Sequence, residues 1–415
     1  MKPNGTDRKT KRLCALAVVF VAAFVAIAAS KTVTTVKETQ AREGPGAYYR
    51  LVTLIPAKTT LDIIETKKSW LKVAYNNNDV WISENSTGAK PAETSADIIG
   101  RLPTDNVSID ASPATLTAAI KGFWTRYSRN RAEKYELPVE GYDIPPAAYI
   151  VFSEKRATAV DRDRRFGSYR LPGDYKARTV AYEREHSIGF ACASAGAEAP
   201  LYENQRMATY VNSVASYLGE STERYDMRFI VYILDTDRVN AVSCPGGYIV
   251  LTRGLLDLIG DEAELAALLA HEMAHIIAGH GMYEVMENKV EDTANKAFDI
   301  LGKTVGTTET EQDLLAITDR AISIAESGKG DKNEFEADEM ALRYLARSGY
   351  DTGSQMRLLQ KLMDKYEKNI DMFSLNYQNH PDFGERMKRC RDGVRRYNRS
   401  GGETFAADFR DIMGR

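Results

Sequence analysis

His271 and His275 stand four residues apart, with Glu272 beside the first, in the run His271-Glu272-Met273-Ala274-His275. On a helix, positions i and i+4 share one face, so both imidazoles can reach a single metal ion. Glu272 then sits next to the water such an ion would hold, where a carboxylate can take up a proton. The chain has 5 histidines in 415 residues, which makes two at this spacing conspicuous. The competing reading is a pair of core histidines on a buried helix. Buried imidazoles need partners, however, and a metal supplies one while using the neutral ring.

The flanking residues predict the helix. Asp261 is an N-cap candidate, and Glu264 three residues on would complete a capping box. Leu265, Leu268, Leu269, Met273, Ile276 and Ile277 make the segment apolar on most sides, which predicts burial. Gly279 and Gly281 predict its end. A catalytic zinc needs three protein ligands and one open position. A histidine six residues after His275 would be one solution, but that position is Gly281. His280 lies at a different spacing and reads equally well as a polar helix end. A carboxylate from a second helix is the other solution. Asn333 to Ala341 opens such a helix after the breaker-rich Ser327-Gly328-Lys329-Gly330, with Glu334 and Asp338 on one face. Glu334 can serve as the third ligand. Asp338 can accept a hydrogen bond from the far nitrogen of a ligating histidine. Acidic helix starts are common for dipole reasons, so this pair gains its meaning from the histidine motif upstream.

With the strand-like run from Asn240 to Gly254, these motifs resemble the gluzincin peptidases of the prenyl-protein-protease family. That family includes CAAX prenyl proteases, heat-shock membrane proteases and soluble exported members. The resemblance covers about residues 181–395. It implies an α+β fold: a helix-rich zincin-type metalloprotease domain with a small edge-stranded sheet. It implies one zinc ion per chain on His271, His275 and Glu334, with Glu272 as general base and Asp338 orienting a histidine. Pro245, Gly246 and Gly247 would form the edge on which an extended substrate adds as a strand. Near the C-terminus, His380-Pro381 and Arg386 match a further family feature. His380 would stabilise the oxyanion or approach the metal in a latent state; Arg386 would orient it or help bind substrate. The implied reaction is peptide hydrolysis by a metal-activated water, with unfolded or misassembled envelope proteins as substrates. Cys244 departs from the family, which usually has an apolar residue there. Ser187 and Ser243 lie in no nucleophile-elbow pattern.

The remaining chain frames this segment. Composition is that of a globular protein, 43% hydrophobic and 27% charged with net charge −3. No basic stripe or phosphate-cradling glycine loop stands out, which argues against nucleic acid as a partner. Lys2, Arg8, Lys9, Lys11 and Arg12 precede an apolar run from Leu13 to Ala29, and Ala28-Ala29-Ser30 follows the pattern of a cleavage site. Residues 1–30 therefore read as a secretory signal, with an uncleaved membrane anchor as the alternative. Either way the rest is expected to be exported, periplasmic or envelope-associated.

Residues 31–90 read as β-structure, with strands over Tyr49–Ile55, Thr60–Thr66, Trp70–Tyr75 and Asp79–Ser83. Their order resembles a small all-β bacterial SH3-like barrel, a fold associated with peptidoglycan or peptide binding. Trp70 and Trp81 would line a groove or fill the barrel core. Residues 91–180 read as a partly helical linker, with a helix over residues 113–135 and a solvated charge run from Asp161 to Arg165. Residues 396–415 read as a C-terminal tail. Of the 4 cysteines, Cys14 belongs to the export segment. An oxidising compartment allows one pair among Cys192, Cys244 and Cys390 to bridge, and sequence does not choose which. Two rival functions stay open. One is a latent or chaperone-like zinc protein. The other is an adaptor acting through the SH3-like domain.

Overall fold

The short runs of alternating and β-branched residues near the N-terminus form six strands. These are β1 (Thr32–Thr34), β2 (Thr39–Arg42), β3 (Leu51–Ile55), β4 (Thr60–Lys67), β5 (Trp70–Tyr75) and β6 (Asn78–Ser83). They make one antiparallel sheet in the order β1-β4-β5-β6-β2-β3. Asn76 and Asn77 close the β5–β6 hairpin with positive φ of 47° and 62°, which suits asparagine in a two-residue turn. Val33, Ala41, Ile55, Leu61, Leu71, Val73, Val80 and Ile82 form the module's own core. The sheet is compatible with the expected small β domain. In this computed structural model, the described residues are 31–87, 144–169, 189–280, 331–373, 383–398 and 401–414, except 48, 68, 69, 191 and 226, plus 135, 137, 138 and 142. The export segment 1–30, nearly all of the helix expected over 113–135, and His380 lie outside them.

The expected linker contributes two helices, α1 (Pro146–Val160) and α2 (Arg162–Ser168). The charge run from Asp161 to Arg165 is not a solvated loop. Asp161 caps α2, and Arg162 and Arg165 are buried. The reason is that Arg162 finds a buried carboxylate, Glu220, at 2.6 Å. Charge alternation alone did not reveal that partner.

The remaining elements build around a large apolar core, with a smaller apolar cluster that includes residues of β7, β8 and β9. They are α3 (Gln205–Gly219), β7 (Ile230–Leu234), β8 (Ala241–Cys244), β9 (Tyr248–Thr252), α4 (Arg253–Leu256), α5 (Glu262–Ala278), α6 (Asp331–Ser348), α7 (Gly353–Lys368), α8 (Phe383–Tyr397) and α9 (Ala406–Met413). The three-stranded sheet runs β7-β9-β8, with β9 parallel to β7 and antiparallel to β8. All residues of β7 and β9 are buried, as expected for strands covered on both faces. Pro245, Gly246 and Gly247 are not themselves an edge strand. They form the tight turn joining β8 to β9, and among the described residues the sheet ends on one side at Ala241–Cys244 and on the other at Ile230–Leu234. Proline lacks an N–H for a ladder, and both glycines have positive φ, 72° and 93°. A Cβ on Gly247 would lie 2.2 Å from the Arg228 carbonyl oxygen, so no other residue fits without movement.

Helix α5 runs through the centre, packed by α3, α6, α7 and β8. Its start follows the expected cap: Asp261 Oδ1 accepts from the Glu264 N–H at 2.8 Å, but the Glu264 side chain reaches one residue further back than a capping box requires. Glu264 Oε2 in turn accepts from the Gly260 N–H at 2.7 Å. Gly279 ends the helix in a left-handed conformation, φ 72°. Residues 401–414 are part of this body, since Phe409 is buried in the core and Glu403 bridges to Tyr350.

Candidate active site

Helix α5 is buried along nearly its whole length, so it can hold side chains in one fixed direction. It presents His271 and His275 one turn apart, with Nε2 atoms 3.1 Å from each other. Helix α6 lies against α5 and brings Glu334 to them. Glu334 Oε2 is 3.3 Å from His271 Nε2, and Oε1 is 3.2 Å from His275 Nε2. All three residues are buried. The edges of a tetrahedron around an ion with bonds of about 2.0–2.1 Å are about 3.3–3.4 Å long. Two imidazole nitrogens and a carboxylate at this spacing therefore fit one zinc ion. Among the described residues, this is the one cluster of histidine, cysteine and carboxylate side chains close enough to share an ion.

The atoms behind the ligands are also placed. Asp338, one turn after Glu334 on α6, has Oδ1 3.0 Å from His271 Nδ1. That contact sends the His271 N–H to the carboxylate and leaves the Nε2 lone pair facing the cluster. Arg386 from α8 grips Asp338 with two bonds, Nε to Oδ2 at 2.9 Å and Nη2 to Oδ1 at 2.8 Å. Its Nη1 lies 3.4 Å from Glu334 Oε2. Arg386 is thus buried among the carboxylates of this cluster, with Nη2 also 3.5 Å from His271 Nε2, and it lines the same cavity as Glu272. The expectation that it orients His380 concerns a residue outside the described ones. Gln355 from α7 donates to Asp338 Oδ1 at 2.8 Å.

Electrostatics follow from this packing. Burial opposes the charge on Asp338, but Arg386 and His271 outweigh it and hold its carboxyl below the usual range. Burial would lower the pKa of His271, but its hydrogen bonds with Asp338 and Glu334 outweigh it and raise the value to about 9.

His280 also comes into the cluster. Its Nδ1 lies 2.9 Å from His275 Nδ1, and its Nε2 lies 3.5 Å from Glu336 Oε2. It therefore stands behind His275 as Asp338 stands behind His271. Its spacing excluded it as a ligand but carried no signal for this second role. Gln355 was missed as well, because a glutamine on an amphipathic helix has no distinguishing pattern. Glu272 points to a cavity shared with His271, Asp338, Gln355 and the α7 residues Leu358 and Leu362. Glu272 as a whole residue is 6% exposed.

Residues 202–393 match peptidase family M48. The matched segment contains His271, Glu272, His275, Glu334, Asp338 and Arg386, and it leaves the β module outside. The chain is 29% identical over 193 residues to the beta-barrel assembly-enhancing protease of Yersinia pestis, covering 45% of this chain and 39% of that one. It is 26% identical over 170 residues to the protein of the same name from Escherichia coli K12, covering 40% and 35%. Metalloprotease LoiP of Escherichia coli K12 is 27% identical over 193 residues, covering 46% of this chain and 71% of LoiP. The chain therefore matches less than half the length of the assembly-enhancing proteases.

Proposed function

We propose that this chain is a zinc-dependent endopeptidase that hydrolyses peptide bonds of unfolded or misassembled envelope proteins. The observation that carries the reading is the meeting of His271 Nε2, His275 Nε2 and the Glu334 carboxylate within one ion's reach, with Glu272 adjacent. The M48 match and the metalloprotease relatives support the same class of activity. The envelope substrates and an exported location are extended from the assembly-enhancing proteases and from the basic and apolar start of the chain. The soluble exported branch of the prenyl-protease-like family, and an SH3-like identity for the β module, belong to this proposal.

Zinc held by His271, His275 and Glu334 would polarise the scissile carbonyl and lower the pKa of an attacking water. Glu272 takes the proton from that water and returns it to the leaving amine. Asp338 keeps His271 in the tautomer whose Nε2 is free to ligate, and Arg386 keeps Asp338 ionised. Extended substrate adds beside the terminal strand Ala241–Cys244, with the Pro245–Gly247 turn shaping one end of that groove. His380 supplies a donor to the oxyanion.

The test is cleavage of an unfolded protein such as reduced casein by the zinc-loaded full chain, with Glu272→Gln beside it. Hydrolysis is expected to fall by at least about a hundredfold in the variant while bound zinc is retained. Cleavage that is equal in the two proteins would remove Glu272 from the mechanism. A second reading rests on the deep burial of the ligands, His275 at 2% and Glu334 at 1% exposure. In it the enzyme is latent and cleaves only after the site opens. It predicts bound zinc without hydrolysis in the wild type.

A further inference from the structure

We propose that Cys192 and Cys244 form a disulfide that fastens residues 189–197 to the end of strand β8. The two side chains are buried, at 3% and 0% exposure, and come from segments 52 residues apart in sequence. Their sulfurs approach to 2.7 Å. Non-bonded carbon atoms settle at roughly 3.5–4.0 Å, and sulfur is the larger atom, so two separate thiols do not rest this close. The backbones on both sides are already held in contact. A Cβ on Gly189 would lie 1.7 Å from the Pro245 carbonyl oxygen, so the chain at 189 passes directly against the turn that follows Cys244. Phe190 meets the ring of Tyr248 edge-on at 5.8 Å.

The surroundings favour a covalent staple over a reactive thiol. Both sulfurs sit in an apolar cluster with Phe190, Ile230, Tyr232, Tyr248 and Val250. Cys390 lies in the other core, against the metal centre, and is not part of this pair.

The oxidant is a second disulfide, carried by a protein or a small molecule. One cysteine thiolate attacks it and forms a mixed disulfide, and the other displaces the remaining half. Two electrons pass to the oxidant's sulfurs, which leave as two thiols after taking up the two protons that Cys192 and Cys244 lose.

The bond would tie a stretch lying before the M48 match to the terminal strand of the small sheet. Its consequence for substrate binding rests on the peptidase reading above; the existence of the bond does not. The experiment therefore has two arms. In the first, the folded full chain is incubated with oxidised glutathione, denatured without reductant, alkylated, digested and analysed by mass spectrometry. Peptides containing Cys192 and Cys244 are expected to be joined and to separate only on reduction, with Cys390 labelled throughout. Alkylated or glutathionylated Cys192 and Cys244 in unjoined peptides would overturn the bond. Reduction is also expected to lower the melting temperature by roughly 5–10 °C in the wild type. The double variant Cys192→Ser, Cys244→Ser should show no such redox-dependent shift. An equal shift in that variant would assign the effect elsewhere and count against the pair. In the second arm, reduction should raise KM for a peptide substrate at least about threefold with kcat little changed. A mapped bond with unchanged KM would leave the staple and overturn its role at the substrate edge.

Discussion

His271 and His275, which could share a metal ion, each have a second ring nitrogen, and both are held. Asp338 takes His271 Nδ1, and His280 takes His275 Nδ1. Substituting such supporting residues commonly costs about 10–100-fold in metal affinity. Asp338→Asn and His280→Ala are each expected to weaken zinc binding within that range, read by competition with a chromophoric chelator. Unchanged affinity in His280→Ala would reduce its contact with His275 to simple packing. The same residues set a proton balance. In the metal-free protein the His271 pKa is raised from 6.5 to about 9. Its stabilising contribution is therefore complete below the unfolded value, and is lost as pH rises through the folded one. Zinc requires the neutral ring, so metal uptake near neutral pH should release about one proton from His271. Calorimetric titration in two buffers of different ionisation enthalpy measures this, and identical heats would refute it. Of this residue scale, the sequence showed His271, Glu272, His275, Glu334 and Asp338 through their helical spacing. It concealed Gln355 and the role of His280, because their importance depends on which helices meet. The resemblance pointed to Arg386 without identifying its carboxylate partners on α6.

At the level of elements, the position of α5 depends on its buried first residue. Glu262 is fully buried and accepts from Arg156 through two bonds, 2.8 Å at Oε1 and 2.6 Å at Oε2. Tyr350 donates to Oε1 at 2.7 Å, and Tyr210 donates to Oε2. These partners come from α1, α3 and the turn after α6, so three parts of the chain hold the N-terminus of α5. Removing one member of a buried pair leaves an uncompensated charge and typically costs about 3–5 kcal/mol. Glu262→Ala should lose stability on that scale in urea unfolding; a loss below about 1 kcal/mol would show that Arg156 finds adequate compensation elsewhere. Local signals made much of the element order legible. The cap at Asp261, the stop at Gly279 and strands β3 to β6 fell within a few residues of expectation. The turn at Pro245–Gly247 was misread because apolar residues on both sides continue the strand pattern. Arg162 reads as a surface charge in sequence because its carboxylate partner, Glu220, is 58 residues away.

Across the whole molecule, the β module and the helical body share a buried charge cluster. Glu220 at the end of α3 accepts Arg42 of β2 at 2.7 Å, Arg162 of α2 at 2.6 Å and the Tyr149 hydroxyl of α1 at 2.6 Å. Beside it, Trp70, Trp81 and Ala47 pack as a patch against Tyr225. Trp70 stacks on that ring with centroids 5.4 Å apart. Trp70 and Trp81 therefore belong neither to an open groove nor to the module's own core; they face Tyr225, within the segment that matches family M48. Glu220→Ala should loosen this attachment and expose the connections around the module to limited proteolysis. A digestion pattern matching the wild type would mean that the aromatic patch alone suffices. The placement of these rings also gives the protein an internal optical signal. Of its 3 tryptophans, two sit at this junction at 8% exposure each. Their emission should lie toward the blue while the module is docked and shift red when it swings away. Docking can thus be followed by fluorescence on the unlabelled protein, independently of any assay of peptide hydrolysis.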